Sequence, residues 1–322
     1  MREQLAINLR NAVLRKGADE NYADAHDHSW LGVDWQALQR FVTARGERIN
    51  VIDTGGDGPV LLWIHGLSAN WQSWLLNLPA LMGTYRCVAF DLPGFGASDM
   101  PTDEITITGY ARSVDAVCDA LDIQSVSVIG HSMGGFIGAE LALQFATRVE
   151  RLVLVSAAGL SQENVRREPV LAVGRMLATG AAHATAYQDT LVRRPRLRRL
   201  ALQGVVRYPE LLSPALTREL FQGAGKPGFM PALEALLNYS FRDRLWRIEA
   251  PVLVVWGEHD MLVPVQDAEE YARLIGRNAR RVVFADTGHA PQIERPTRFN
   301  ALLAEFLAGA AAPASGVEGV SA

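Results

Sequence analysis

The chain has 322 residues, a formal net charge of −4, 49% hydrophobic and 20% charged residues, the balance of an ordinary globular protein with a sizeable core. That charge excludes a general attraction to nucleic acid or to an anionic membrane surface. Cys87 and Cys118 are the 2 cysteines; without C-x-x-C spacing they point away from zinc or redox work and read as buried apolar residues in a reducing compartment.

In chain order, Leu5, Leu9 and Val13 recur at i, i+4 and i+8 among Arg2, Arg10, Arg15 and Lys16. This predicts a short amphipathic helix over 3–16 that docks on the body or on a partner subunit, leaving a homo-oligomer open. Charges in Met1-Arg2-Glu3-Gln4-Leu5 interrupt the apolar run of a secretory signal, and no stretch has membrane-spanning length. A cytoplasmic protein with no membrane span is therefore expected. Alternation over 39–53 predicts a two-stranded hairpin about Gly46.

From Pro59 onward, strand patterns over 60–64, 87–90, 126–129 and 152–155 alternate with helical patterns over 71–82, 107–121 and 134–145. Strict alternation predicts right-handed crossovers and a parallel sheet covered on both faces, an α/β fold. Between Leu160 and Leu245 strand signals vanish, and helix-length segments are punctuated by Pro195, Pro209, Pro214 and Pro227. Strand 252–256, helix 266–274, strand 281–284 and helix 296–307 resume the rhythm. The domain reading is a leader with its amphipathic helix (1–39), a core (40–159 and 246–308), a helical insertion (160–245) and a flexible Ala/Gly/Ser/Pro tail (309–322).

The chemistry centres on Gly130-His131-Ser132-Met133-Gly134, a serine between two glycines where a strand runs into a helix. Such a G-x-S-x-G turn strains and exposes the serine at a helix N-terminus, which makes Ser132 the candidate nucleophile; the alternative is an ordinary strand-to-helix turn. A serine hydroxyl needs a histidine to take its proton and a carboxylate to orient that histidine. Of 7 histidines, His289 follows the last strand in Thr287-Gly288-His289-Ala290-Pro291, on the carboxyl edge of the sheet where sites form. His26 and His28 sit in the leader and His183 in the insertion; His131 is committed beside the serine, and His65 and His259 read as supporting residues at strand ends. Asp260, in Gly257-Glu258-His259-Asp260, is preferred to Glu258 as the acid by its loop position.

Acyl transfer also needs backbone N–H donors for an oxyanion. Met133, directly after the serine, and Leu67, in His65-Gly66-Leu67, are the expected donors. The loop Asp91-Leu92-Pro93-Gly94-Phe95-Gly96 lacks P-loop and dinucleotide spacing and reads as structural.

Together, in this order, these motifs resemble those of the α/β-hydrolase superfamily over roughly residues 40–308. The resemblance implies a mostly parallel eight-stranded sheet flanked by helices, a helical cap inserted after the sixth strand, and a Ser-His-Asp mechanism with no cofactor and no metal. Serine at the elbow argues against the dehalogenases and epoxide hydrolases of this fold, which place aspartate there. The loop Leu67-Ser68-Ala69-Asn70-Trp71 differs from that of the carbon–carbon bond hydrolases acting on ring-cleavage products, which also use serine. The expected function is hydrolysis of a small to medium carboxylic ester with an apolar acyl or aryl group, through an acyl-enzyme on Ser132. Carbon–carbon bond hydrolysis and acyl transfer or perhydrolysis on the same triad are the alternatives, and ligand binding without turnover belongs to another class. In the insertion, Phe221, Phe229, Met230, Tyr239 and Phe241 read either as a substrate pocket or as its own core. Arg193, Arg194, Arg196, Arg198 and Arg199 read as a solvated helix face.

Overall fold

Successive residues of a strand point to opposite faces, and each central strand here is apolar on both. In the computed structural model, which describes residues 22–184 and 188–309, that pattern gives eight strands in one sheet. They are β1 (Gln39–Ala44), β2 (Glu47–Asp53), β3 (Val60–Ile64), β4 (Arg86–Phe90), β5 (Val126–His131), β6 (Val149–Val155), β7 (Val252–Gly257) and β8 (Ala279–Phe284). Their order is β1-β2-β4-β3-β5-β6-β7-β8. The β1–β2 and β2–β4 pairs are antiparallel, and all others are parallel.

One face carries Leu62, Val128, Leu154 and Val254 under helices α1 (Ile107–Ala120), α2 (Met133–Gln144) and the later helix Gln266–Ile275. The other carries Trp63, Ile129, Val153 and Val255 under Trp74, Phe299 and Leu303. Thr106 starts α1 by accepting the Gly109 N–H at 2.9 Å, satisfying a donor that the first turn leaves free. Cys87 and Cys118 are free and buried, and burial pushes both thiols up to about 12.

Between β6 and β7 the chain forms helices α3 (Arg167–Ala184), α4 (Gln188–Arg193), α5 (Pro195–Leu202), α6 (Pro214–Phe221) and α7 (Phe229–Leu237). Pro195 and Pro214 each sit at a helix start, where a missing N–H costs nothing. The sheet is completed by α8 (Gln266–Ile275), β8, the short α9 (Pro291–Glu294) and α10 (Pro296–Leu307).

Two expectations need correction. The helix predicted over 71–82 is instead a 3-10 turn, Trp71–Trp74, and a short helix, Leu78–Leu81. Distant partners set the break: the Trp71 N–H is taken by Asp91 at 3.0 Å, and the Asn77 amide donates to Gln292 O and Asn300 Oδ1. Arg198 is not on a solvated face; it is 4% exposed, with its guanidinium donating to the carbonyls of Val192, Pro209 and Glu210. Of the two readings open for Phe241, its packing selects the core: it is fully buried, edge-on to Phe136 at 4.5 Å. The helix predicted over 3–16 and the tail beyond Gly309 lie outside the described residues. Among those described, no helix is long and apolar enough to cross a membrane.

Candidate active site

The parallel strands of the sheet end on one edge, and the β5–α2 elbow lies at its centre. A Cβ on Gly130 would fall on the Gly134 carbonyl, and one on Gly134 would fall on the Ile64 carbonyl. Only glycine lets strand and helix approach this closely. Between them Ser132 is held at φ 54°, ψ −118°, a left-handed conformation unfavourable for a residue with a Cβ. Surrounding bonds hold it there. Its N–H donates to Val155 O at 2.9 Å, and its carbonyl accepts from Gly135, Ala158 and Phe136 at 3.0, 3.1 and 3.2 Å. Among the described residues the Ser132 hydroxyl makes no hydrogen bond.

Asp260 and His289, 29 positions apart, are brought together by the loops after β7 and β8. His289 Nδ1 lies 2.8 Å from Asp260 Oδ2, so the ring donates there and Nε2 carries the lone pair. Asp260 Oδ1 accepts the Leu262 and Val263 N–H groups, each at 2.9 Å. Burial alone raises the Asp260 carboxyl, but His289 and those N–H groups outweigh it and hold it below its ordinary value. Glu258 instead accepts the Asp286 N–H and is exposed. His26, His28 and His259 are exposed; the side chain of His183 lies outside the described set.

His131 is buried beside His289, with ring centroids 4.8 Å apart. Its Nε2–H donates to the His289 carbonyl at 2.9 Å, while Nδ1 is buried without a partner among the described residues. Burial, with His289 second, lowers its pKa to about 3, so this ring is neutral near pH 7.

The loop after β3 lies against the elbow: a Cβ on Gly66 would come 3.1 Å from Ser132 Cβ. Neither the Leu67 nor the Met133 N–H donates to an acceptor among the described residues. His65 Nε2 accepts the Leu92 N–H at 3.0 Å, and burial lowers its pKa. Asp91 ties this loop to the Gly-rich one, accepting from Trp71, Asn50 and Ala97 at 3.0, 2.8 and 2.9 Å; its role is structural.

Sequence reasoning missed Glu294, a fully buried carboxylate beside the His289 loop. Its only signal is an acid inside Pro291-Gln292-Ile293-Glu294, which composition cannot tell from a surface glutamate. A cleft of about 670 Å³ lined by Glu163, Tyr239, Arg242 and Arg273, among others, includes none of Ser132, Asp260 and His289. Among the described residues no cluster of three or more His, Cys, Asp or Glu is arranged to hold a metal.

Residues 59–296 match the family model of the alpha/beta hydrolase fold. The acetoin-cleaving-system dihydrolipoyllysine-residue acetyltransferase component of Cupriavidus necator is 34% identical over 288 residues, 86% of this chain and 71% of that one. A 2-hydroxymuconate semialdehyde hydrolase of a Pseudomonas species is 31% identical over 295 residues, covering 86% of this chain and 96% of its own. A solved meta-cleavage product hydrolase of Pseudomonas fluorescens, with bound acetates, superposes with a TM-score of 0.66 at 26% identity, covering 85% of this chain and 98% of that chain. Elbow, sheet and relatives agree: the chain belongs to the α/β-hydrolase family and is a hydrolase of that fold.

Proposed function

We propose that this hydrolase cleaves a carboxylic ester of small to medium size through an acyl-enzyme on Ser132. The observation that carries the reading is the Asp260–His289 hydrogen bond at 2.8 Å, which in the neutral ring makes Nε2 the acceptor, on the edge of the sheet where the strained Ser132 stands. Nε2 takes the Ser132 proton as Oγ attacks the ester carbonyl. The free Leu67 and Met133 N–H groups stabilise the resulting oxyanion. Collapse breaks the ester bond, and the imidazolium returns the proton to the departing alcohol; water, activated by the same ring, then releases the acid. Asp260 stays ionised throughout and keeps the ring in the Nδ1–H tautomer. The serine–imidazole hydrogen bond forms as the hydroxyl rotates toward a bound ester, a contact that often tightens only in the complex. The helices between β6 and β7 form a cap over this edge.

A second reading is carbon–carbon bond hydrolysis of a ring-cleavage product, favoured by the 31% identity to the 2-hydroxymuconate semialdehyde hydrolase. Assaying p-nitrophenyl esters and a dienoic ring-fission compound with wild type and Ser132→Ala separates the two. Ester turnover that vanishes in the variant supports the proposal. Turnover of the dienoic compound alone supports the second reading, and equal rates in both proteins overturn Ser132 as nucleophile.

A further inference from the structure

The loop carrying His289 is held by its backbone. The His289 N–H donates to Val205 O, in the segment after α5, at 2.9 Å. Its carbonyl accepts from His131 at 2.9 Å. The flanking Gly288 and Ala290 N–H groups both donate to one carboxylate, Glu294, at 3.0 and 3.2 Å. The same carboxylate accepts the Arg207 N–H at 2.8 Å and the Tyr22 hydroxyl at 2.9 Å. Tyr22 in turn accepts the Tyr208 N–H at 2.9 Å. Three chain segments remote in sequence therefore meet on one side chain that is 0% exposed.

We propose that Glu294 is a positioning residue for His289, clamping the loop of the proton acceptor against the cap segment 205–208 and the N-terminal segment at Tyr22. The inference rests on the role given to His289 above. Its chemistry is specific. Oε2 accepts three of the four donors and Oε1 the fourth, so a carboxylate satisfies all four, where an amide of the same length has an acceptor for three at most. Glutamine satisfies three donors with its oxygen and turns its NH₂ toward the Ala290 N–H, so it restores most of the clamp. Alanine restores none of it, and the loop then shifts. A displacement near 1 Å of a reacting group costs up to about 100-fold in rate. Burial raises the Glu294 carboxyl, a penalty that a surface glutamate avoids; its placement here is offset by the four donors it organises.

The test compares wild type, Glu294→Ala and Glu294→Gln. Active sites are counted by complete phosphonate labelling, kcat and KM are measured on a p-nitrophenyl ester, and the low-field proton resonance of the His289 Nδ1–H is recorded. Per labelled site, Glu294→Ala is expected to lose roughly 10- to 100-fold in kcat with KM little changed, and its low-field resonance shifts or broadens. Glu294→Gln recovers most of both. Equal kcat per site in all three proteins overturns the proposal, as does equal loss in Glu294→Ala and Glu294→Gln. If wild type neither labels nor turns over, the reaction assignment fails and the resonance alone decides: an unmoved signal in Glu294→Ala overturns the clamp, and a shifted one supports it.

Discussion

His131 gives a pH dependence of stability with a definite sign. Its pKa falls from 6.5 in a free chain to about 3 in the fold, because the ring is buried at the elbow and faces His289. Between those values the unfolded chain binds a proton that the folded protein refuses, so stability is lost as pH falls below 6.5 and the loss levels off near 3. From pH 7 to pH 5 the difference amounts to about 2 kcal/mol, at about 1.4 kcal/mol per pH unit. In His131→Gln, the amide still reaches the His289 carbonyl as a donor but cannot titrate. Urea unfolding at both pH values, read at constant m, should show wild type losing about 2 kcal/mol more than the variant. His65 is lowered by burial too but is present in both proteins, so it cancels. Parallel pH profiles would refute the buried, neutral state of His131 and the tautomer argued from it.

Asp260→Asn leaves the loop intact but removes the charge that fixes the Nδ1–H tautomer, and kcat on an activated ester should fall on the order of 10⁴-fold; a change below tenfold contradicts the assignment. Gly134→Ala places a methyl on the Ile64 carbonyl and should destabilise by about 3 kcal/mol or more, seen as a lowered urea midpoint. Arg198→Ala strands three carbonyls now satisfied inside the insertion, so limited proteolysis should cut that region faster while Ser132 labelling at low temperature persists.

The sheet was legible because its strands are short apolar runs separated by helical periods, and α10 begins and ends where Pro296 and Leu307 place it. The elbow was legible because close strand–helix approach admits only glycine at Gly130 and Gly134. Distant hydrogen bonds were not. The break at Asn77, the burial of Arg198 and the carboxylate of Glu294 each depend on at least one partner 11 to 272 positions away, and local pattern carries no record of those. Phe241 shows the same limit: its period fits a pocket or a core equally, and only its packing on Phe136 decides.

If Ser132 is the nucleophile and His289 its proton acceptor, both leave a mark on covalent labelling. Peptide mass spectrometry after reaction with a fluorophosphonate tests this most directly. One adduct is expected, on the peptide containing Ser132, absent in Ser132→Ala and formed far more slowly in His289→Ala. An unmodified protein, or labelling that persists unchanged in Ser132→Ala, would contradict it.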